Sequence, residues 1–149
     1  MTHKIYDGKL YFFFGIASLA LAVILGGISS YSKFIVEPEI RGCLNAADET
    51  GENYKKAYIL LRKPQIFAGY EHFDAHSIPI NKILETFDQM VYAGLPINQD
   101  YGQYLEVLLK RREDGAALGL KTTLFVLIVS MLSWVMFFME KNDLKKQAE

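Results

Sequence analysis

Leu10–Tyr31, LYFFFGIASLALAVILGGISSY, runs for 22 positions without a charged residue. As a helix rising about 1.5 Å per residue it is roughly 33 Å long, against a bilayer hydrocarbon core of about 30 Å. The stretch therefore predicts a transmembrane helix, and the rest of the chain is read around it. One side of that helix carries small residues, because Ser18, Ala22, Gly26 and Ser30 recur at every fourth position. Lipid tails are as apolar as leucine, so helices associate in membranes through close backbone approach, which small residues permit. These four are the expected helix-packing residues, facing a partner span. The apolar run exceeds the 7 to 15 residues usual for the core of a signal peptide, so it is expected to be an uncleaved anchor.

A second apolar run, Leu118–Met139, has Lys121 as its one ionisable side chain, near enough to an end for the ammonium to snorkel. Trp134, Phe137 and Phe138 crowd its far end. If two spans cross in opposite directions, Tyr11 emerges on that same side, as expected for aromatic rings at a headgroup boundary. The expected organisation is a short cytoplasmic tail over 1–9, transmembrane helix 1 over 10–31 and a helical extracytoplasmic domain over 32–117. Transmembrane helix 2 over 118–139 and a second cytoplasmic tail over 140–149 complete it. The fold class is thus an all-α membrane protein, with two transmembrane helices flanking a small soluble domain of about three helices. Lys4, Lys9, Lys141, Lys145 and Lys146 in the tails favour a cytoplasmic location for both termini. Lys33, Arg41, Lys110, Arg111, Arg112 and Lys121 flank a loop too long for its charges to govern orientation. The expected location is a membrane of the bacterial inner-membrane type.

Within the loop, Ile40, Cys43, Leu44 and Ala47, then Tyr54, Ala57, Tyr58 and Leu61, recur at helical spacing. They predict an amphipathic helix over Glu39–Arg62, with an interruption at Gly51 and a stop before Pro64. Gln65–His76 shows no sustained period and reads as a loop. Ser77 is an N-cap and Pro79 suits a first turn, while Ile80, Ile83, Leu84, Phe87, Met90 and Val91 form one apolar stripe ended by Gly94 and Pro96. Asn98 or Asp100 caps a third helix carrying Tyr101, Tyr104, Leu105 and Leu108. This helix either continues into the second span or bends at Gly115 or Gly119.

The chemistry available to the chain is limited. Its 149 residues carry a net charge of -1, and the basic run Lys110–Arg112 is followed at once by Glu113 and Asp114, so no nucleic-acid surface is expected. Cys43 is the single cysteine and forms no intramolecular disulfide. Glu71-His72-Phe73-Asp74-Ala75-His76 places two imidazoles four residues apart, which on one helix face suit zinc or copper, making His72 and His76 the candidate metal ligands. The segment lacks the glutamate placement of a zinc protease and has no further ligand pair nearby. No nucleophile elbow or phosphate loop is present, and the adjacent acidic pairs Asp48-Glu49 and Glu113-Asp114 diverge on a helix. No cofactor is expected. The expected partners are the lipid bilayer and other membrane-protein subunits or further copies of the chain. The expected role is a non-enzymatic accessory or structural subunit of a multi-protein membrane complex of secretion, transport or respiratory type. The alternative is a membrane-anchored ligand-sensing or metal-binding module that acts through a separate output partner.

Overall fold

A computed structural model describes residues 8–46, 50–67 and 80–148. Among them every regular element is helical: α1 Gly8–Tyr31, α2 Glu37–Asn45, α3 Glu52–Leu61, α4 Ile80–Tyr92 and α5 Gly102–Ala148. A single π turn, Ser32–Val36, joins α1 to α2, and a 3₁₀ turn, Gln99–Tyr101, leads into α5. Two helical stretches, Gly8–Asn45 and Gln99–Lys146, are long and apolar enough to cross a membrane. The chain divides into two compact units, one of residues 1–27 with 120–149 and one of residues 28–119.

In the first unit the N-terminal part of α1 packs antiparallel on the C-terminal part of α5. Ser130 Oγ donates to the Gly15 carbonyl at 2.9 Å, the Trp134 indole covers Gly15, and a Cβ at Gly26 would lie 2.9 Å from Thr123 Cγ2. The sequence explains this closeness, since glycine and serine let the two backbones approach where a larger side chain would hold them apart. Phe12 packs on Trp134 and Phe137 with ring centroids 5.4 Å apart in each case. Ala22 is 2% exposed and Ser18, Ser130 and Ser133 are buried, whereas Phe13 at 67% and Leu124 at 62% belong to a long series of exposed leucine, isoleucine, phenylalanine and methionine side chains. The fully buried residues are small or hydroxyl-bearing, Phe12, Trp134 and Phe137 are half-buried, and most other bulky apolar residues are exposed. The Ser133 hydroxyl is satisfied within its own helix by the Val129 carbonyl at 2.9 Å.

The second unit has the opposite polarity. Tyr58, Phe87, Ile97, Leu105 and Leu108 form one buried cluster, and Val36, Ile40, Ala57, Leu60 and Leu109 form another, with Leu44 and Leu61 packed against both. The Tyr58 and Phe87 rings meet edge to face at 5.1 Å, and Phe87 meets Tyr101 at 5.5 Å. Apart from Val36 of the π turn, Ile97 of the loop after α4 and Tyr101 of the 3₁₀ turn, these residues are the apolar stripes of α2 to α5, so the 3.6-residue period is realised as a core. The π turn has a cause in sequence, because Pro38 carries no N–H and its ring crowds the carbonyl four residues back. The wider turn ahead of it, closed by the Glu37 N–H on the Ser32 carbonyl, accommodates that proline without ending the helix. Gly51, with φ of 72°, separates α2 from α3. Gly94, with φ of 70°, ends α4, where the Leu95 N–H reaches the Met90 carbonyl at 2.9 Å and the Gly94 N–H the Val91 carbonyl at 3.1 Å. That pair of bonds is a Schellman cap, which needs a left-handed residue that glycine adopts without strain.

The expected third soluble helix and the second span are one element, since α5 continues through Gly115 and Gly119 without a break. Both glycines are instead points of close approach: a Cβ at Gly115 would overlap the Gln65 amide, and one at Gly119 would overlap the Ser29 hydroxyl. The expected caps Ser77 and Pro79 lie outside the described residues. Asn98 precedes the 3₁₀ turn without a capping side-chain hydrogen bond, its amide donating to Asp100 at 3.2 Å.

Candidate functional site

The stripe Leu105, Leu108, Leu109 and Ala116 turns the N-terminal half of α5 toward the core of the second unit, and Arg112 falls on that same stripe. Its side chain therefore enters the core, and the residue is only 4% exposed. Nη1 donates to the carbonyls of Leu61, at 3.1 Å, and Lys63, at 2.8 Å. These carbonyls lie at the end of α3, where the backbone has orphan acceptors and a cation is favoured by the helix dipole. The Arg112 carbonyl in turn accepts from Gln65 Nε2 at 2.9 Å. Arg112 thus fastens the chain after α3 to α5.

Among the described residues, the Arg112 Nε and Nη2 and the Glu37 Oε1 are buried with no hydrogen-bond partner within 3.5 Å. Glu37 is 7% exposed and Ser32 1%, both placed inward by the π turn that sends their neighbours Phe34 and Ile35 outward. Burial pushes the Glu37 carboxyl above its ordinary value, and the nearby Glu113 carboxylate adds to this. Arg112, Lys33 and the Ser32 hydroxyl pull the other way. Burial also lowers the Arg112 guanidinium, opposed by Glu37 and Tyr31. Glu37 and Arg112 feel each other's charge, yet their charged atoms do not come within the 4.0 Å of an ion pair. The Ser32 hydroxyl acts on the same carboxyl as a hydrogen-bonding neighbour.

A second polar group lies on the outer side of α4. Tyr58 O–H reaches Asp88 Oδ1 at 2.7 Å, the Leu84 carbonyl lies 3.1 Å away, and Arg62 Nη2 donates to Asp88 Oδ2 at 3.2 Å. These residues edge an open groove of about 530 Å³ lined by Arg62, Leu84, Glu85, Asp88, Gln89 and Tyr92. Arg62 and Asp88 within it pair with each other.

Of the four expected helix-packing residues, Ser18 and Ala22 are buried while Gly26 and Ser30 are half-buried. Ser18, Ala22 and Gly26 belong to the first unit, where α5 of the same chain covers their face; Ser30 belongs to the second. The buried series is Gly15, Ser18, Ala22, Ser29, Ser32 and Val36, spaced by three, four and seven residues, so Ser29 rather than Ser30 lies on it. A seam between two long helices repeats every 3.5 residues on average, and a strict four-residue ladder drifts off it. His72 and His76 lie outside the described residues, and among the described ones no group of three His, Cys, Asp or Glu side chains is placed to hold a metal. Cys43 is a half-buried free thiol packed against the Val36 cluster. Arg112 and Glu37 were not among the expected site residues. Their signal is periodicity: Arg112 follows Leu105 by seven and Leu108 by four, and Glu37 precedes Ile40 by three. No family model, curated protein or solved structure matches this chain.

Proposed function

We propose that the chain is a non-enzymatic, integral-membrane accessory subunit of a multi-protein membrane complex. In this reading the hairpin of α1 and α5 spans the bilayer, both termini lie on the cytoplasmic side, and the helical domain lies opposite. The observation that carries it is the polarity of the first unit, with Ser18, Ala22 and Ser130 inside and Phe13, Ile24, Phe125 and Leu132 outside. A water-soluble core helix buries its large apolar residues, and this pair exposes them, an arrangement favourable only where the surroundings are as apolar as the side chains.

The small-residue face of α1 closes the hairpin within the chain, so partners dock through the helical domain and the outward faces. Ile59, Tyr92, Leu95 and Val107 are exposed apolar side chains of the second unit and supply candidate contact points. The test is purification of the full chain from its native membrane in mild detergent, with mass spectrometry and elemental analysis of the same sample. A stoichiometric second protein is expected. Recovery of the chain alone, or with a bound metal lost on His72→Ala and His76→Ala, would overturn the subunit reading in favour of a sensing or metal-binding module.

A further inference from the structure

The chain that leaves α3 follows α5 instead of turning away from it. Pro64 has no N–H with which to extend α3, and the residues on either side of it are fastened at successive heights of α5. The Lys63 carbonyl accepts from Arg112 Nη1 at 2.8 Å, and Gln65 Nε2 donates to the Arg112 carbonyl at 2.9 Å. Phe67 comes next: its Cβ lies 3.6 Å from the point where a Cβ on Gly115 would stand, and its Cε2 lies 3.4 Å from the same point on Gly119. Residues 63–67 thus run along α5 from Arg112 to Gly119, a distance of about 10 Å on the helix axis. Residues 64–67 carry no charge; Ile66 is 36% exposed and Phe67 is half-buried, covered on the α5 side by the two glycines.

The height of Gly119 follows from the lengths of the two spans. A hydrocarbon core of about 30 Å takes about twenty helical residues. Counted forward from Leu10, which is 66% exposed, that length ends at Ser29; counted back from Met139, which is 58% exposed, it ends at Leu120, next to Gly119. Ser29 and Gly119 are themselves in contact within the second unit. Two counts on two helices therefore meet at one pair of touching residues, which marks the boundary between acyl chains and headgroups. Just past it Tyr31 is 47% exposed, and Lys33 and Asp114 are exposed, as suits a phenol and two charged groups at headgroup height and above. The Phe67 ring reaches down to this boundary although more than thirty positions of sequence separate it from either span, about thirty-five from α1 and fifty from α5. We infer that residues 64–67 form a second, in-plane membrane contact, with Ile66 and the open edge of Phe67 seated at the acyl–headgroup boundary, so that the helical domain rests on the lipid surface. This inference depends on the membrane-spanning reading above. Lipid is the occupant because of position: an exposed isoleucine at that height gains by leaving water for the acyl boundary, as the apolar face of an interfacial anchor does.

The experiment places the full chain in liposomes, with an NBD fluorophore on Ile66→Cys or on Ile128→Cys, each in a Cys43→Ser background; Ile128 is a 48%-exposed residue of the hairpin. Quenching is read with phospholipids that carry a nitroxide near the headgroup or near the end of the acyl chain, and with aqueous iodide. The Ile66 label is expected to be quenched more by the headgroup-near nitroxide than by the chain-end one and to lose access to iodide, whereas the Ile128 label is quenched more by the chain-end nitroxide. An Ile66 label open to iodide overturns the proposal while a lipid-quenched Ile128 label keeps the spans in the bilayer. An Ile66 label shielded from iodide and from both nitroxides overturns it too, because protein then covers the segment. An Ile128 label open to iodide overturns the membrane-spanning reading and this proposal with it. A readout without substitution uses the wild-type chain, photo-crosslinked in liposomes by a phospholipid bearing a diazirine near its headgroup. Adducts at Ile66 or Phe67 are expected, and adducts at Tyr31 with none at either residue would overturn the proposal.

Discussion

The two units of this chain are built from the same helical geometry and have opposite insides. In residues 28–119 phenylalanine, tyrosine, isoleucine and leucine fill the interior; in the hairpin of 1–27 and 120–149 the fully buried residues are serine, glycine and alanine, Phe12, Trp134 and Phe137 are half-buried, and most other phenylalanines and leucines are exposed. The first arrangement is driven by removal of apolar surface from water, at about 25 cal/mol per Å². In the second that surface is not removed from its surroundings at all. Stability there depends on close backbone contact and on interhelical bonds such as that from Ser130 to the Gly15 carbonyl.

The sharpest way to break the contrast is at Arg112, the charged exception inside the apolar unit. Arg112→Met leaves the Glu37 carboxylate and the Leu61 and Lys63 carbonyls without their cation, and is expected to destabilise the chain by about 3–5 kcal/mol. Adding Glu37→Leu to that variant is expected to restore a large part of the loss, read by denaturant unfolding of the full chain in detergent. A next-larger effect belongs to the hairpin. Ala22→Leu over-packs its 2%-exposed site and is expected to cost about 1–3 kcal/mol, measured by titration with SDS in mixed micelles.

Smaller effects come from titration and from the surface. Because Glu37 has a raised folded-state pKa, the folded chain binds that proton more tightly than the unfolded chain. Its contribution to stability is complete below the unfolded value and is lost as pH rises through the folded one, with a slope of at most about 1.4 kcal/mol per pH unit. Glu37→Gln is expected to remove this slope in unfolding curves taken between pH 4 and pH 8. Arg62→Ala removes only the exposed partner of Asp88, which keeps its bond from Tyr58. The expected cost is below about 1 kcal/mol and shrinks further in high salt, as thermal unfolding at two ionic strengths will register.

Both apolar runs were legible in the sequence because lack of charge over some twenty residues needs no partner to interpret. The stripe of α4 and its Gly94 stop were legible because period and cap chemistry are local. The continuity of the long helices was not. Gly115 and Gly119 look like bends, yet the two glycines serve contacts with Gln65 and Ser29 made by distant parts of the chain, and a π turn absorbs Pro38. Arg112 was hidden for a related reason. In the run Lys110-Arg111-Arg112 composition suggests a solvated helix end, and only the phase of the helix distinguishes the third residue from the other two. Ser29 displaced Ser30 because the pitch of a packed helix pair, rather than of a lone helix, decides which serine faces the neighbour.

The central claim is that the bulky residues of the hairpin face lipid, and spin-label accessibility in liposomes tests it most directly. Single cysteines at Ile24, Leu132 and, as a control in the other unit, the 96%-exposed Tyr92 would be introduced in a Cys43→Ser background and labelled with a nitroxide. Labels at Ile24 and Leu132 are expected to collide with dissolved oxygen and to be shielded from a water-soluble nickel chelate, with the reverse at Tyr92. Ready collision with the nickel chelate at Ile24 and Leu132 would place that face in water and contradict the account.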